Sequence, residues 1–188
     1  MIKIFQIGFN KCGTVSLHKF FESNGLKSIH WDMGKLAKRI QSNFESVTPL
    51  LSGYENYDCF TDMESQADNI FIYLTLFKEL DKQYPNSKFI LNLRNREQWI
   101  ESRLNHRDYL KVYQRITGLD RQGVIDLWTS DWDNHLANIK EYFKERPDDL
   151  LVFDIDSETD KLFEFMSKIT NLRNLVFGQY NKTKNKKC

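Results

Sequence analysis

Short apolar runs alternate along the chain with longer segments in which apolar residues recur every three or four positions. Lys3–Ile7 is apolar and β-prone, the pattern of a buried strand. Beyond it, Leu17, Phe20 and Phe21 fall at i, i+3 and i+4, one face of a helix. Leu26–Trp31 predicts a second strand, and Met33 to about Phe44 an amphipathic helix. After a loop punctuated by Pro49 and Gly53, Tyr57–Phe60 predicts a third strand. Ile70, Tyr73, Leu74, Phe77, Leu80 and Tyr84 form one apolar stripe and predict one helix, closed by a turn at Tyr84–Ser87.

Lys88–Leu93 is nearly continuous apolar sequence, as a strand covered on both faces requires. A helix containing Trp99 and Ile100 follows it, then a more polar helical segment from Tyr109 to Gly118. Ile125, Trp128, Trp132, Leu136, Ile139 and Phe143 mark a long helix ended near Pro147. Leu150–Phe153 predicts the last strand, and Leu162, Phe165, Met166 and Ile169 the last helix. Strands alternating with helices predict an α/β fold: a three-layer sandwich with a central parallel sheet, ligands lying at the carboxyl ends of its strands. One domain is expected over residues 1–180, with 181–188 a frayed basic tail.

Composition narrows the function classes. The chain has 188 residues, 40% of them hydrophobic and 28% charged, with a net charge of +1. This balance gives no electrostatic reason to expect nucleic acid, and no apolar run approaches the roughly 20 residues a membrane span needs. The N-terminus reads as a strand rather than a signal peptide. Three scattered cysteines, Cys12, Cys59 and Cys188, suit free thiols, so a cytoplasmic location is expected. Asn181-Lys182-Thr183 matches a glycosylation sequon but carries no weight without secretion.

The chemistry concentrates in Ile4–Ser16: strand, loop bracketed by Gly8 and Gly13, then helix, with Lys11 in the loop. Such a loop aims backbone N–H groups and the positive end of a helix at one spot, where a phosphate fits. In a nucleoside-triphosphate loop, GxxxxGK[ST], Lys directly follows the second glycine. Here Thr14 follows Gly13 and Lys11 precedes it, which argues against a kinase. Cys12 at a helix N-terminus would gain thiolate character, but no partner for a nucleophile is identifiable. Arg94 ends the fourth strand and Ser102 lies on the following helix, a spacing that lets a guanidinium and a hydroxyl grip one phosphate. His30 and Asp62 also fall at predicted strand ends.

Lys-Cys-Gly-Thr-Val-Ser resembles the 5′-phosphosulfate loop of the sulfotransferases, and Arg94 with Ser102 resembles their 3′-phosphate clamp. YDCFTDM, ELDKQYPNSKFILNLRNREQW and RPDDLLVFDI are similar to a soluble branch of that family. The resemblance implies a P-loop-like nucleotide fold and 3′-phosphoadenosine-5′-phosphosulfate (PAPS) as donor, with PAP as product and no metal. It implies Lys11, Cys12, Gly13, Thr14, Val15, Ser16, Arg94 and Ser102 as donor contacts. Lys11 would be catalytic, with His30 or Asp62 as the base and Glu64 next in line. The acceptor would be a small molecule or glycan, with neither nucleic acid nor membrane as partner.

Two departures stand out. DIDSETDK replaces the family's glycine-containing loop after the last strand, and Ser16 stands where the cytosolic branch often carries an adenine-stacking Trp. His18, His106 and His135 are expected as surface or packing residues, and Trp128 and Trp132 as core. The competing classes are a non-catalytic binding or scaffold protein on the same fold and, behind it, a small-molecule kinase.

Overall fold

A computed structural model describes residues 2–180; the basic tail lies outside the described residues. In chain order the strands and helices are β1 Ile4–Gln6, α1 Thr14–Ser23, β2 Ser28–His30, α2 Lys35–Glu45, β3 Cys59–Thr61, β4 Glu64–Ser65 and β5 Ile70–Phe71. They continue as α3 Ile72–Thr75, α4 Phe77–Gln83, β6 Lys88–Leu93, α5 Arg96–Leu104, α6 Tyr109–Thr117, α7 Arg121–Phe143, β7 Leu150–Asp154 and α8 Thr159–Ser167.

Five strands form one sheet in the order β2-β3-β1-β6-β7, every neighbouring pair parallel. The protein is therefore an α/β fold with a central parallel sheet flanked by helices, as the alternation of patterns predicts. Strand side chains point to opposite faces in turn, and this period splits the core into two layers. Phe5, Phe60, Phe89 and Leu91 face a layer completed by α2, α4, α5 and α7 through Leu36, Phe77, Trp99 and Trp128. Ile4, Cys59, Ile90, Leu151 and Phe153 face the other, closed by α1 and α8 through Leu17, Phe20, Leu162 and Met166. Trp128 and Trp132 are both buried, in the role their stripe predicts.

The single helix expected over Ile70–Tyr84 is not one element. Ile70–Phe71 pairs antiparallel with Glu64–Ser65, and the helical stretch breaks at Leu76 (φ −121°, ψ 7°). Ile72, Tyr73, Leu76, Phe77 and Leu80 are all buried, so the apolar stripe persists across the break. The β-branched and aromatic run at Ile70–Tyr73 suits a strand as well as a helix, and pairing with β4 decides its first residues. The helix expected from Met33 begins only at Lys35. Before it, Trp31, Asp32, Met33 and Gly34 occupy positive φ at 53°, 47°, 51° and 79°, a left-handed turn directly after β2.

Because all five strands run the same way, their carboxyl ends lie along one edge. The residues that follow β1, β3, β6 and β7, and the last residue of β2, converge there.

Candidate active site

The loop after β1 is shaped by what its glycines omit. A Cβ on Gly8 would stand 2.3 Å from Asn92 Oδ1 and 2.4 Å from the Asn92 carbonyl oxygen, so only glycine lets the loop cross β6. Lys11 (φ 64°) and Gly13 (φ 76°) then turn the chain through left-handed conformations into α1. No side chain caps the N-terminus of α1. Its first N–H groups are thus left for an outside acceptor, with the helix dipole favouring negative charge.

Asn10 fixes this loop to the rest of the protein. Its Oδ1 accepts from Arg103 Nε (3.0 Å), its Nδ2 donates to Glu64 Oε1 (2.9 Å), and its carbonyl oxygen accepts from Trp99 Nε1 (3.0 Å). Arg103 is fully buried, its guanidinium 4.2 Å from the centre of the Trp99 ring. Glu64 also accepts from Tyr73 (2.8 Å) and Tyr109 (3.0 Å). Burial pushes its carboxyl pKa up, while Arg103 and these hydrogen bonds oppose the shift. Both Glu64 oxygens are engaged in this network, and Glu64 also lines the cavity over the strand ends.

A cavity of about 580 Å³ opens over the strand ends. Lys11, Gly13, Thr14, Val15, Ser16, His30, Asp62, Arg94 and Ser102 all line it. Cys12 does not. Its side chain is fully buried, burial pushes its thiol up to about 12, and its carbonyl oxygen accepts from Asn92 Nδ2. Burial and the raised pKa leave the Cys12 thiol with little thiolate character.

Lys11 Nζ lies 3.4 Å from His106 Nδ1. Its pKa is lowered, first by burial, with Asp62 opposing and Arg94 and Arg107 adding to the shift. Arg94 reaches the Lys11 carbonyl oxygen through Nη1 (3.3 Å) and Gln98 Oε1 through Nη2 (3.3 Å). Its Nε is buried and has no hydrogen-bond partner among the described residues. Arg94 also lines the cavity, where a guanidinium is suited to grip an anion. Asp156, in the acidic segment after β7, stands 3.8 Å from Arg94 Nη2. Asn95 caps α5 by accepting from the Gln98 N–H (3.0 Å), which sets the helix that carries Ser102 to the cavity.

On the other side, His30 Nδ1 lies 3.0 Å from Thr61 Oγ1, and Thr61 gives its single hydroxyl proton to the Ile29 carbonyl oxygen (3.2 Å). The His30 proton therefore sits on Nδ1, leaving the Nε2 lone pair free. Burial lowers His30 to about 4, with His18 and Lys19 adding to the shift, so the imidazole is neutral near pH 7. Asp62 Oδ2 is 3.7 Å from His30 Nε2. Burial, then Glu64, hold the Asp62 carboxyl well above its ordinary range against the pull of Lys11 and Arg103, and its Oδ1 has no hydrogen-bond partner among the described residues.

Several lining residues lie beyond the sequence expectation. His106 occupies the turn between α5 and α6 beside Lys11, not a packing or surface position on a helix; its approach depends on how two helices meet. Trp31 and Met33 line the cavity from the left-handed turn and are 44% and 67% exposed, their backbone conformation being unreadable from residue type. Phe177 and Tyr180 arrive from a segment with no periodicity. By contrast, His135 is a packing residue, its Nε2 2.7 Å from the Ile7 carbonyl oxygen.

An uncapped helix N-terminus, a loop lysine and an arginine meet around one cavity at the strand ends of an α/β sheet, an arrangement suited to an anion. The family model for the sulfotransferase domain matches residues 3–115, more than half of the chain, and includes Lys11, His30, Asp62, Arg94 and Ser102. The chain belongs to the sulfotransferase-domain family, which makes sulfotransfer its class of activity. A comparison with curated proteins returned no match. Among the described residues no helix is long and apolar enough to cross a membrane.

Proposed function

We propose that this protein transfers a sulfuryl group from PAPS to a hydroxyl or amine of a small-molecule or glycan acceptor in the cytoplasm. One observation carries the reading: a single cavity joins the N-terminus of α1, Lys11 and Arg94. These features suit the 5′ and 3′ anionic groups of one nucleoside bisphosphate. The N–H groups from Gly13 to Ser16 and Lys11 would hold the 5′ end, and Arg94 with Ser102 the 3′-phosphate.

Bound PAPS would supply an activated sulfuryl group attached to a phosphate leaving group. Lys11 is a desolvated cation, suited to balance charge growing on the oxygen between sulfur and phosphorus. The acceptor hydroxyl would lose its proton to His30 Nε2, which lies 3.7 Å from Asp62 Oδ2. The S–O bond to PAP would break as the S–O bond to the acceptor oxygen forms. His30 is preferred to Asp62 as base because its neutral tautomer already presents a lone pair, whereas Asp62 is held toward its protonated form.

The Asp156–Arg94 pair favours a second reading, a non-catalytic protein in which an internal carboxylate occupies the arginine. Titration calorimetry separates the classes. A sulfotransferase binds PAP without magnesium and turns over PAPS, a scaffold binds without turnover or not at all, and a kinase prefers ATP with magnesium. Absence of PAP binding would remove the proposed donor.

A further inference from the structure

Residues 171–180 follow α8, form no regular element and lie outside the span matched by the family model. They are nevertheless fastened across α1. Asn24, buried at the end of that helix, accepts from the backbone N–H of Arg173 (2.8 Å) and Asn174 (2.9 Å) and donates to the Asn174 carbonyl oxygen (3.1 Å). Phe177 packs its ring against Phe20 (6.4 Å) and Phe153 (6.1 Å). The Tyr180 N–H donates to Ser16 Oγ (3.3 Å), on the first turn of the helix that receives the anion.

A Cβ on Gly178 would stand 2.6 Å from Tyr180 Cε2 and 2.9 Å from Cζ, so the missing side chain makes room for that ring. Phe177 and Tyr180 line the cavity with Ile155, next to Gly13 and Ser16. Tyr180 remains 51% exposed, which leaves ring surface for a ligand.

We infer that this strap is the base-binding wall of the donor site, with Tyr180, seated on Gly178 and flanked by Phe177 and Ile155, taking the adenine ring. The inference rests on the PAPS reading above. Charge at both phosphates fixes the ends of such a nucleotide but leaves its flat base without a partner. The helix itself offers only Ser16 at that end, whereas the strap brings aromatic faces, on which nucleobases stack.

Calorimetry on the full chain tests this with two probes, PAP and the abasic 2-deoxyribose 3,5-bisphosphate. Tyr180→Ala and Gly178→Ala, the second of which keeps the ring but displaces it, should each weaken PAP about tenfold, within the range base stacking provides. Tyr180→Phe should restore wild-type affinity, and the abasic probe should bind all four proteins equally. Equal PAP binding by the wild type, Tyr180→Ala and Gly178→Ala would overturn the strap's role and leave the donor reading intact. Equal losses for both probes would also overturn it, because the strap would then act on the phosphates or the fold. A wild type that binds neither probe would bring down the donor reading together with the inference.

Discussion

At one end of the cavity the chain turns on residues that bring bare backbone close; at the other it turns on residues with full side chains. Gly8 and Gly13 let the first loop cross β6 and enter α1, which brings the first peptide N–H groups of α1 to the cavity beside Lys11. After β2 the left-handed turn is made by Trp31, Asp32 and Met33 before Gly34 closes it. Non-glycine residues in that region cost of order 1–3 kcal/mol each, so the conformation persists because surrounding structure holds it. Peptide groups recognise a constant charged feature, whereas side chains select by shape. On the PAPS reading, the glycine end would suit the donor and the Trp31–Met33 end whatever differs among acceptors.

The largest effect expected from breaking this division is at Lys11. Lys11→Ala should lower single-turnover sulfuryl transfer by about a hundredfold to a thousandfold, the loss typical of removing one preorganised charge-stabilising group. Circular dichroism should show the fold retained; unchanged turnover would contradict the assignment. Next comes Gly8→Ala, whose Cβ has no room beside Asn92. It should destabilise the protein by about 3 kcal/mol in urea titration, at the upper end for overpacking.

The strands and the first loop are legible in the sequence because their causes are local. An apolar run marks each strand of the parallel sheet, and Lys11 lies within the loop whose glycines define it. Arg94 and Ser102 are readable too, since helical spacing carries one toward the other. His106, Trp31 and Tyr180 are not readable in this way. Their positions follow from a helix–helix turn, from strained dihedrals, and from Asn24 pinning a segment distant in sequence. The split of Ile70–Tyr84 was hidden because a single stripe serves both the hairpin end and the two short helices.

A smaller effect sharpens the contrast through pH. His30 and His135 are both lowered to about 4, mainly by burial, from an ordinary 6.5. Their neutral forms stabilise the fold fully above pH 6.5, and that stability is lost as pH falls toward 4, because the unfolded chain then binds protons the folded one refuses. Asp62 works in the opposite sense, since its raised carboxyl favours the folded state at lower pH. The difference between His135→Gln and wild type isolates one histidine. Between pH 7 and pH 5 the variant should lose about 2 kcal/mol less stability than wild type, measured by urea unfolding at both pH values. Parallel losses would mean that His135 is protonated in the folded state.

The smallest effect is expected at the turn itself. Met33→Gly relieves one left-handed residue and should raise stability by about 1 kcal/mol, while Gly13→Ala, also at positive φ, should lower it by a similar amount. A loss of stability in Met33→Gly would mean that the turn is held by the Met33 side chain.

Asn10 has a kinetic consequence. Its side chain and carbonyl are held by Arg103, Glu64 and Trp99, protein groups alone, so the loop's conformational freedom is lost during folding rather than at each encounter. On the PAPS reading, such a cradle would meet its nucleotide already formed. Association should be limited by diffusion and orientation, showing one fast exponential phase in stopped-flow rather than a slow isomerisation after contact.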